Sequence, residues 1–318
     1  MASGRRYCLI SPCRDEAQLL MRTAESVLGQ SELPARWVIV DDGSQDETPQ
    51  LLSALAAERP FIEIVTRQDR GERKLGSGVV HAFNAGLETV SLDDYDYVCK
   101  LDLDLVLPAD YFATMMDLCE EDPRLASVSG KPYYHGAEGQ RVWEPCGDEN
   151  CVGMAKFYRV LAFQQVGGFV PELMWDGIDC HTSRMLGWRS RAVGTEAVAF
   201  EHLRAMGSSD RSILRGRRRH GRGQWFMGSS LPYVLASAVL RLRVQPYVSG
   251  SLHMMAGYAA AAASRMPRHD DVQFRRQVRR FQRESLLLGK GRAIARWESR
   301  TAEEWRRRNP SEAAGMGS

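Results

Sequence analysis

Short apolar runs alternating with helical stretches set the pattern of the first hundred or so residues. Tyr7-Cys8-Leu9-Ile10-Ser11 is a strand-like run stopped by Pro12, and Asp15 to Gly29 then places Leu19, Leu20, Thr23, Val27 and Leu28 at helical spacing. Trp37 to Val40 is too short and too apolar for anything but a buried strand. It ends in a turn, Asp41-Asp42-Gly43-Ser44, after which Ser44 or Asp46 can cap a helix carrying Leu51, Leu52, Leu55 and Ala56. Phe61 to Val65 predicts a third strand, His81 to Val90 a third helix and Tyr97 to Leu101 a fourth strand. Such alternation predicts an α/β fold, a mostly parallel sheet with helices on both faces.

The pattern loosens after residue 120. Ser127 to Gly130 and Val152 to Ala155 read as strands of a mixed edge, joined by a loop of about twenty residues, a length that tends to be functional or mobile. Val166-Gly167-Gly168-Phe169 is a turn, and a helix follows from Trp175 to about Gly187, with Asp176 and Asp179 one turn apart on one face. Arg215 to Arg222 is polar and glycine-punctuated. Leu231 to Ala263 is moderately apolar, but Arg241, Arg243, Gln245 and Pro246 interrupt it before an apolar span of about eighteen residues is reached, so no membrane-spanning helix is expected. His269 to Arg307 reads as amphipathic helix and Asn309 to Ser318 as a disordered tail. These breaks divide the chain into 1–205, 206–308 and 309–318.

Composition adds a compartment and an asymmetry. The net charge of +2 hides carboxylates crowded into the first two thirds and arginine dominating from Arg204 onward. No apolar stretch after Met1 resembles a signal peptide, and the seven scattered cysteines do not read as a disulfide framework, so a reducing, cytoplasmic setting is expected. Cys146 and Cys151 lack any second pair or His at zinc-site spacing.

The chemistry gathers at Leu101-Asp102-Leu103-Asp104-Leu105. Side chains two apart on an extended segment point the same way, so Asp102 and Asp104 can reach one divalent ion, Mg²⁺ or Mn²⁺, held against a diphosphate. Ligands of such sheets sit outside the carboxyl ends of the strands. Here those ends are Pro12 to Glu16, Asp41 to Asp46 and Asp102 to Asp104, all polar or acidic.

With these residues in view, the first two hundred or so positions resemble the family 2 glycosyltransferases of GT-A fold. The carrying motifs are Ser11-Pro12-Cys13-Arg14-Asp15-Glu16, Val40 to Asp46, Ala82-Phe83-Asn84-Ala85-Gly86, Asp102-Leu103-Asp104, and Gly167-Gly168-Phe169 before the acidic helix. The resemblance implies an inverting, metal-dependent transfer of one sugar from a nucleotide sugar, a UDP-sugar foremost, to a lipid, lipid-linked saccharide or polysaccharide precursor. It places Pro12, Glu16, Asp42, Ser44, Asn84 and Asp102 with the donor. Asp104 becomes the metal ligand, assisted by Asp102. Asp176 becomes the base that deprotonates the acceptor hydroxyl, with Asp179 in reserve. His202 falls where some members of the fold place a third metal ligand; an ordinary strand-end histidine is the alternative.

Some positions depart from the family pattern. Asp15 stands where Asn is usual and Trp175 where Glu is usual. The Gln-x-x-Arg-Trp motif of processive synthases survives only as Arg219, which argues for single-sugar transfer. Arg215 to Arg222 reads either as a flexible lid whose Arg219 and Arg222 grip the diphosphate or as a solvated basic loop. Nucleic-acid binding lacks the aromatic interleaving it would need. Trp225, Phe226 and Met227 can stack on the acceptor or belong to the core. The C-terminal helices suggest the inner membrane surface, or packing on the catalytic core or a second subunit. A nucleotidyltransferase and a non-catalytic nucleotide-binding protein are the competing functions. The first would show a Gly- and Arg-rich loop after the first strand, and the second would have lost Asp102, Asp104 or Asp176.

Overall fold

The computed structural model describes residues 5–69, 76–204, 212–243 and 245–314. Its first part alternates β1 (Tyr7–Cys13), α1 (Leu20–Leu28), β2 (Arg36–Asp41), α2 (Thr48–Glu58), β3 (Ile62–Thr66), α3 (Ser77–Leu87) and β4 (Tyr97–Leu101), as the apolar runs predict. Next come β5 (Leu105–Val106), α4 (Tyr111–Glu121), β6 (Leu125–Gly130), β7 (Pro132–His135), β8 (Arg141–Trp143) and β9 (Ala155–Arg159). α5 (Val160–Val166), α6 (Trp175–Met185), β10 (Arg189–Val193) and β11 (Phe200–His202) complete this part.

Seven strands form one sheet in the order β10-β6-β9-β4-β1-β2-β3. β1 lies parallel to both β2 and β4, and β2 to β3, whereas β9 runs antiparallel between β4 and β6. Side chains of the parallel strands alternate between two cores, as a strand buried on both faces requires. Tyr7, Leu9, Trp37, Ile39, Tyr97 and Cys99 pack on one side with α1 and α4 residues such as Leu20 and Phe112. Cys8, Ile10, Val38, Val40 and Val98 pack on the other with Phe83 of α3 and Phe163 of α5. The chain runs from β1 outward to β3 and then crosses to β4 on the other side of β1. That reversal opens a crevice at the carboxyl ends of β1 and β4, the usual ligand position in such sheets.

Several expectations need correction. The strand expected at 152–155 begins only at Ala155, and it lies inside the sheet, with β10 and β3 at the edges. The loop expected between β6 and β9 contains the β7–β8 hairpin, which pairs Tyr133 with Trp143 and joins β11 and β5 in a second, small sheet. The arginine stretch is helix α7 (Ile213–Phe226) rather than a flexible loop. Its start is capped by Ser212 Oγ, which accepts from Leu214 N at 3.2 Å. Glycines on both helices let it press on α9 (Tyr247–Ala263): a Cβ on Gly221 of α7 would lie 1.9 Å from Met254 O, and one on Gly257 of α9 2.0 Å from Arg218 O. Of the tail expected to be disordered at 309–318, residues 310–314 form α12 (Pro310–Ala314), with Asn309 buried before it and bonded to Gln165 at 2.7 Å, and 315–318 lie outside the described residues.

The remaining helices are α8 (Leu231–Arg241), α10 (Val272–Leu288) and α11 (Lys290–Arg308). α11 docks on the sheet domain, so the boundary drawn at 205 is not a break in the core. Trp305 is fully buried against Trp188, ring centres 5.5 Å apart, and Trp297 Nε1 donates to Arg184 O of α6 at 3.0 Å. Arg124, buried before β6, donates to Gly187 O at 2.7 Å and to Glu298 O of α11 at 2.9 Å. Gly187 ends the turn after α6 with φ +86°, and a Cβ there would lie 2.5 Å from Thr301 O. Gly187→Ala therefore combines a strained backbone with a clash. It should cost about 2–3 kcal/mol, read as a lowered urea midpoint at unchanged slope.

Candidate active site

The loops that follow β1 and β2 are laced into one floor. Asp42 N donates to Cys13 O at 2.8 Å, Asp15 N to Ser44 Oγ at 3.0 Å, and Gln45 N to Asp15 Oδ1 at 2.8 Å. Ala17 N donates to Asp46 Oδ2 at 3.2 Å and Glu16 N to Thr48 Oγ1 at 2.9 Å. Asp15 has φ +54°, a left-handed conformation that Asn and Asp tolerate best among residues with side chains. Its carboxylate serves Gln45 purely as an acceptor, so the exchange of Asn for Asp keeps this contact. Asp46 also accepts from Thr48 N at 3.0 Å in the turn before α2, but the N-cap of that helix is Glu47, with no side-chain cap, rather than Ser44 or Asp46. Asp42 is buried, with Oδ1 2.7 Å from Arg67 Nη1, and Pro12, which does not stop β1, lies in register with Val40 one residue before the strand ends at Cys13.

Across the crevice, β5 and β11 pair antiparallel with His202 opposite Leu105, which brings His202 to the acid pair. Leu203 N donates to Asp104 O at 2.8 Å and fixes that approach. Asp104 is buried, and its Oδ2 lies 3.5 Å from His202 Nε2 and 3.0 Å from Arg204 Nη2. The other ring nitrogen, His202 Nδ1, lies 3.0 Å from Glu144 Oε2, and Arg204 Nη2 reaches Glu16 Oε1 at 2.6 Å. Burial alone would discharge the imidazole. The hydrogen bonds and charges of Asp104 and Glu144 outweigh it and raise its pKa to about 9. Burial likewise opposes ionisation of Asp104, but His202 and Arg204 hold it below the ordinary carboxylate value.

Three buried carboxylates thus create a demand for positive charge, met here by Arg204 and His202. Asp104 Oδ1 is buried and, among the described residues, has no hydrogen-bond partner. An orphaned carboxylate oxygen beside an imidazole backed by a second carboxylate is the donor set that suits a divalent cation. Among the described residues no three His, Cys, Asp or Glu side chains are already gathered around one point, so Asp104 and His202 are the pair that face each other. Asp102 differs: its carboxylate is ion-paired with Lys100, two residues earlier on the same side of β4, and stays one-third exposed.

α6 supplies the opposite wall. Lys156 of β9 is fully buried, and its Nζ donates to Asp179 Oδ1 and Oδ2 at 2.8 and 2.7 Å and to Asp176 O at 2.9 Å. Tyr158 OH completes Asp179 at 2.6 Å. Asp179 is therefore enclosed in an ion pair, without the access to an acceptor that a base needs, which removes it as the reserve candidate. Asp176 is only half-buried, and its Oδ2 would lie 3.2 Å from a Cβ on Gly153. The next residue, Met154, accepts from Asp102 N at 2.8 Å, so Gly153 and Met154 link Asp176 to the acid pair. Trp175, in the place of the family's Glu, lies between two lysines, with Lys100 Nζ and Lys156 Nζ at 5.4 and 5.6 Å from its ring centre.

The remaining expected residues lie on or just beyond helices. Asn84 is half-buried on α3. Arg219 and Arg222 lie on α7, Arg222 exposed. Phe226 and Met227 are core residues packed with Ile178 and Phe274, and Trp225 donates to Met266 O at 2.8 Å under the guanidinium of Arg268. Sequence reasoning missed Lys100, Glu144, Lys156 and Arg204. Only Lys100 carried a local signal, the two-residue spacing before Asp102. Lys156→Met would leave Asp179 buried without its counter-charge and should cost about 3–5 kcal/mol. Lys156→Met with Asp179→Leu should recover much of that loss in urea unfolding, since an apolar pair carries no uncompensated charge.

A sequence profile described as Glycosyl transferase family 2 matches residues 8–172. The chain is 29% identical over 120 residues to a poly-beta-1,6-N-acetyl-D-glucosamine synthase of Staphylococcus aureus, a match covering 38% of this chain and 27% of the relative. The chain thus spans about a quarter of the curated relatives it matches. A mannosyltransferase of Pyrobaculum calidifontis, solved with GDP-Man and Mn²⁺, superposes with TM-score 0.53 at 19% identity, covering 94% of this chain and 84% of that one. GalNAc-T7, solved with UDP, GalNAc and Mn²⁺, gives 0.56 at 12% identity, covering 82% and 58%. These two likenesses concern the fold, whereas the profile spans the laced loops, the acid pair and the turn before α6. The chain belongs to glycosyl transferase family 2.

Proposed function

We propose that this chain is an inverting glycosyltransferase that moves one sugar from a nucleotide sugar, with UDP as the nucleotide. The acceptor is a hydroxyl of a lipid, a lipid-linked saccharide or a polysaccharide precursor. The observation that carries the reading is Asp104 Oδ1, buried and, among the described residues, without a hydrogen-bond partner in the crevice between β1 and β4. Family membership supports the reaction class.

In this reading Pro12, Glu16 and Asp42 line the nucleoside side, on the floor that Asp15 and Ser44 hold together. Asp102, fixed by Lys100, faces the ribose. Asp104 with His202 would hold a divalent cation, Mn²⁺ or Mg²⁺, which would supply positive charge against the diphosphate leaving group. Glu144 orients His202 for that task. Arg204, shared between Glu16 and Asp104, offers its fork to diphosphate oxygens. Asp176 takes the proton of the acceptor hydroxyl as that oxygen bonds to the anomeric carbon and the bond to the diphosphate oxygen breaks. Attack from the face opposite the leaving group inverts the configuration. The workplace is the cytosolic face of a membrane, reached peripherally; among the described residues no helix is long and apolar enough to cross one.

Calorimetric titration with UDP, with and without Mn²⁺, separates the roles. Asp104→Asn should weaken metal-dependent UDP binding by at least about tenfold, and EDTA should do the same to the unaltered protein. Asp176→Asn should keep UDP binding and lose about 10²- to 10⁴-fold in turnover. Near-normal turnover of Asp176→Asn would sink the base assignment, and no binding of UDP would sink the donor.

A further inference from the structure

The C-terminal helices leave an apolar row exposed beside a basic one. α8 buries Val234 and Ala238 against Met254 and Tyr258 of α9. On its other side Leu231, Leu235 and Val239 recur every four residues and are 50%, 47% and 64% exposed, with Leu240 at 75%. Exposed apolar side chains in a row, unlike scattered ones, mark a contact surface. The row begins at an open cleft where Ser230 and Pro232 meet Arg276, Arg279, Arg280 and Arg283 of α10.

Those arginines recur every three or four residues and so share one face of α10, opposite the buried Phe274, Val278 and Phe281. Arg280 pairs with Glu284, but among the described residues Arg276, Arg279 and Arg283 have no carboxylate partner. Arg279 instead donates to Gly228 O at 2.8 Å. The sequence supplies no relief, since residues 211–269 contain not one Asp or Glu. Nearby, burial and then the charges of Arg279 and Arg275 lower the pKa of Arg268. Crowded like charge is a cost until an anion offsets it.

We infer that α8 and the arginine face of α10 form a docking surface for an anionic phospholipid bilayer, the arginines meeting lipid phosphates and the α8 row entering the acyl boundary. Apolar residues beside unpaired arginines suit that occupant better than water or a second copy, which would bring a second set of arginines to the same surface. The inference deepens the membrane workplace of the proposed function without depending on donor or acceptor chemistry.

Co-sedimentation of the full chain with vesicles tests it. Binding is expected to phosphatidylcholine vesicles containing about a third phosphatidylglycerol, to weaken with salt, and to be absent with phosphatidylcholine alone. Arg276→Gln with Arg283→Gln should lower partitioning roughly thirtyfold, while Lys at both positions restores it. Leu235→Asp with Val239→Asp should lower it by at least about tenfold. All variants should retain the UDP affinity and circular dichroism of the unaltered chain. No binding to the anionic vesicles, or equal binding to both compositions, overturns the inference. So does an oligomer in solution that Leu235→Asp with Val239→Asp breaks apart while vesicles are ignored. Vesicle binding without UDP binding would count against the donor reading and leave this surface intact.

Discussion

A single buried ammonium group fixes the relation between the sheet and the wall of the crevice. Lys156 points from β9 into a space closed to solvent, where an unpaired charge would cost several kcal/mol. Asp179, Tyr158 and the carbonyl of Asp176 surround it, so α6 can sit in only one register above the strand. A pair of this kind adds little net stability, because desolvation offsets most of its attraction. What it secures is position: one turn before Asp179, Asp176 is held toward Gly153 and the acid pair. Trp175, lodged between Lys100 and Lys156, couples the same anchor to the strand that leads into Asp102.

The sheet was legible wherever a strand is apolar on both faces. Trp37 to Val40 and Tyr97 to Leu101 could hardly be anything else, and their acidic ends identified the crevice. β9 was misplaced for a physical reason: Lys156 and Arg159 break its apolar run, and the charge that hides the strand is the one that anchors α6. β7 and β8 are short, half-exposed and paired with each other, so neither carries a pattern of its own. α7 was unreadable because glycine and arginine give little local preference for helix. Its stability comes from contact with α9, which lies about thirty residues on.

At the site, Asp104 and His202 could be proposed because a motif and a strand end announced them. Glu144 and Arg204 could not, since each gains its meaning from partners far along the chain. Glu144 lies behind His202, and Arg204 bridges Glu16 to Asp104. Asp176 and Asp179 show the limit most clearly. They lie one turn apart on one helical face, so sequence could only rank Asp176 first and Asp179 in reserve, and the lysine from β9 is what encloses Asp179 as a counter-ion.

The packing of Trp305 on Trp188 has a consequence for how the protein is made. Chains emerge from the ribosome N-terminus first, and domains generally fold as they appear. The sheet strands up to β11 are complete long before α11 exists, yet Trp188, Gly187 and Arg124 wait for that helix to cover them. During synthesis the catalytic half therefore carries an indole and a buried guanidinium still open to solvent. Its final closure is an event of the last helices rather than of the sheet itself.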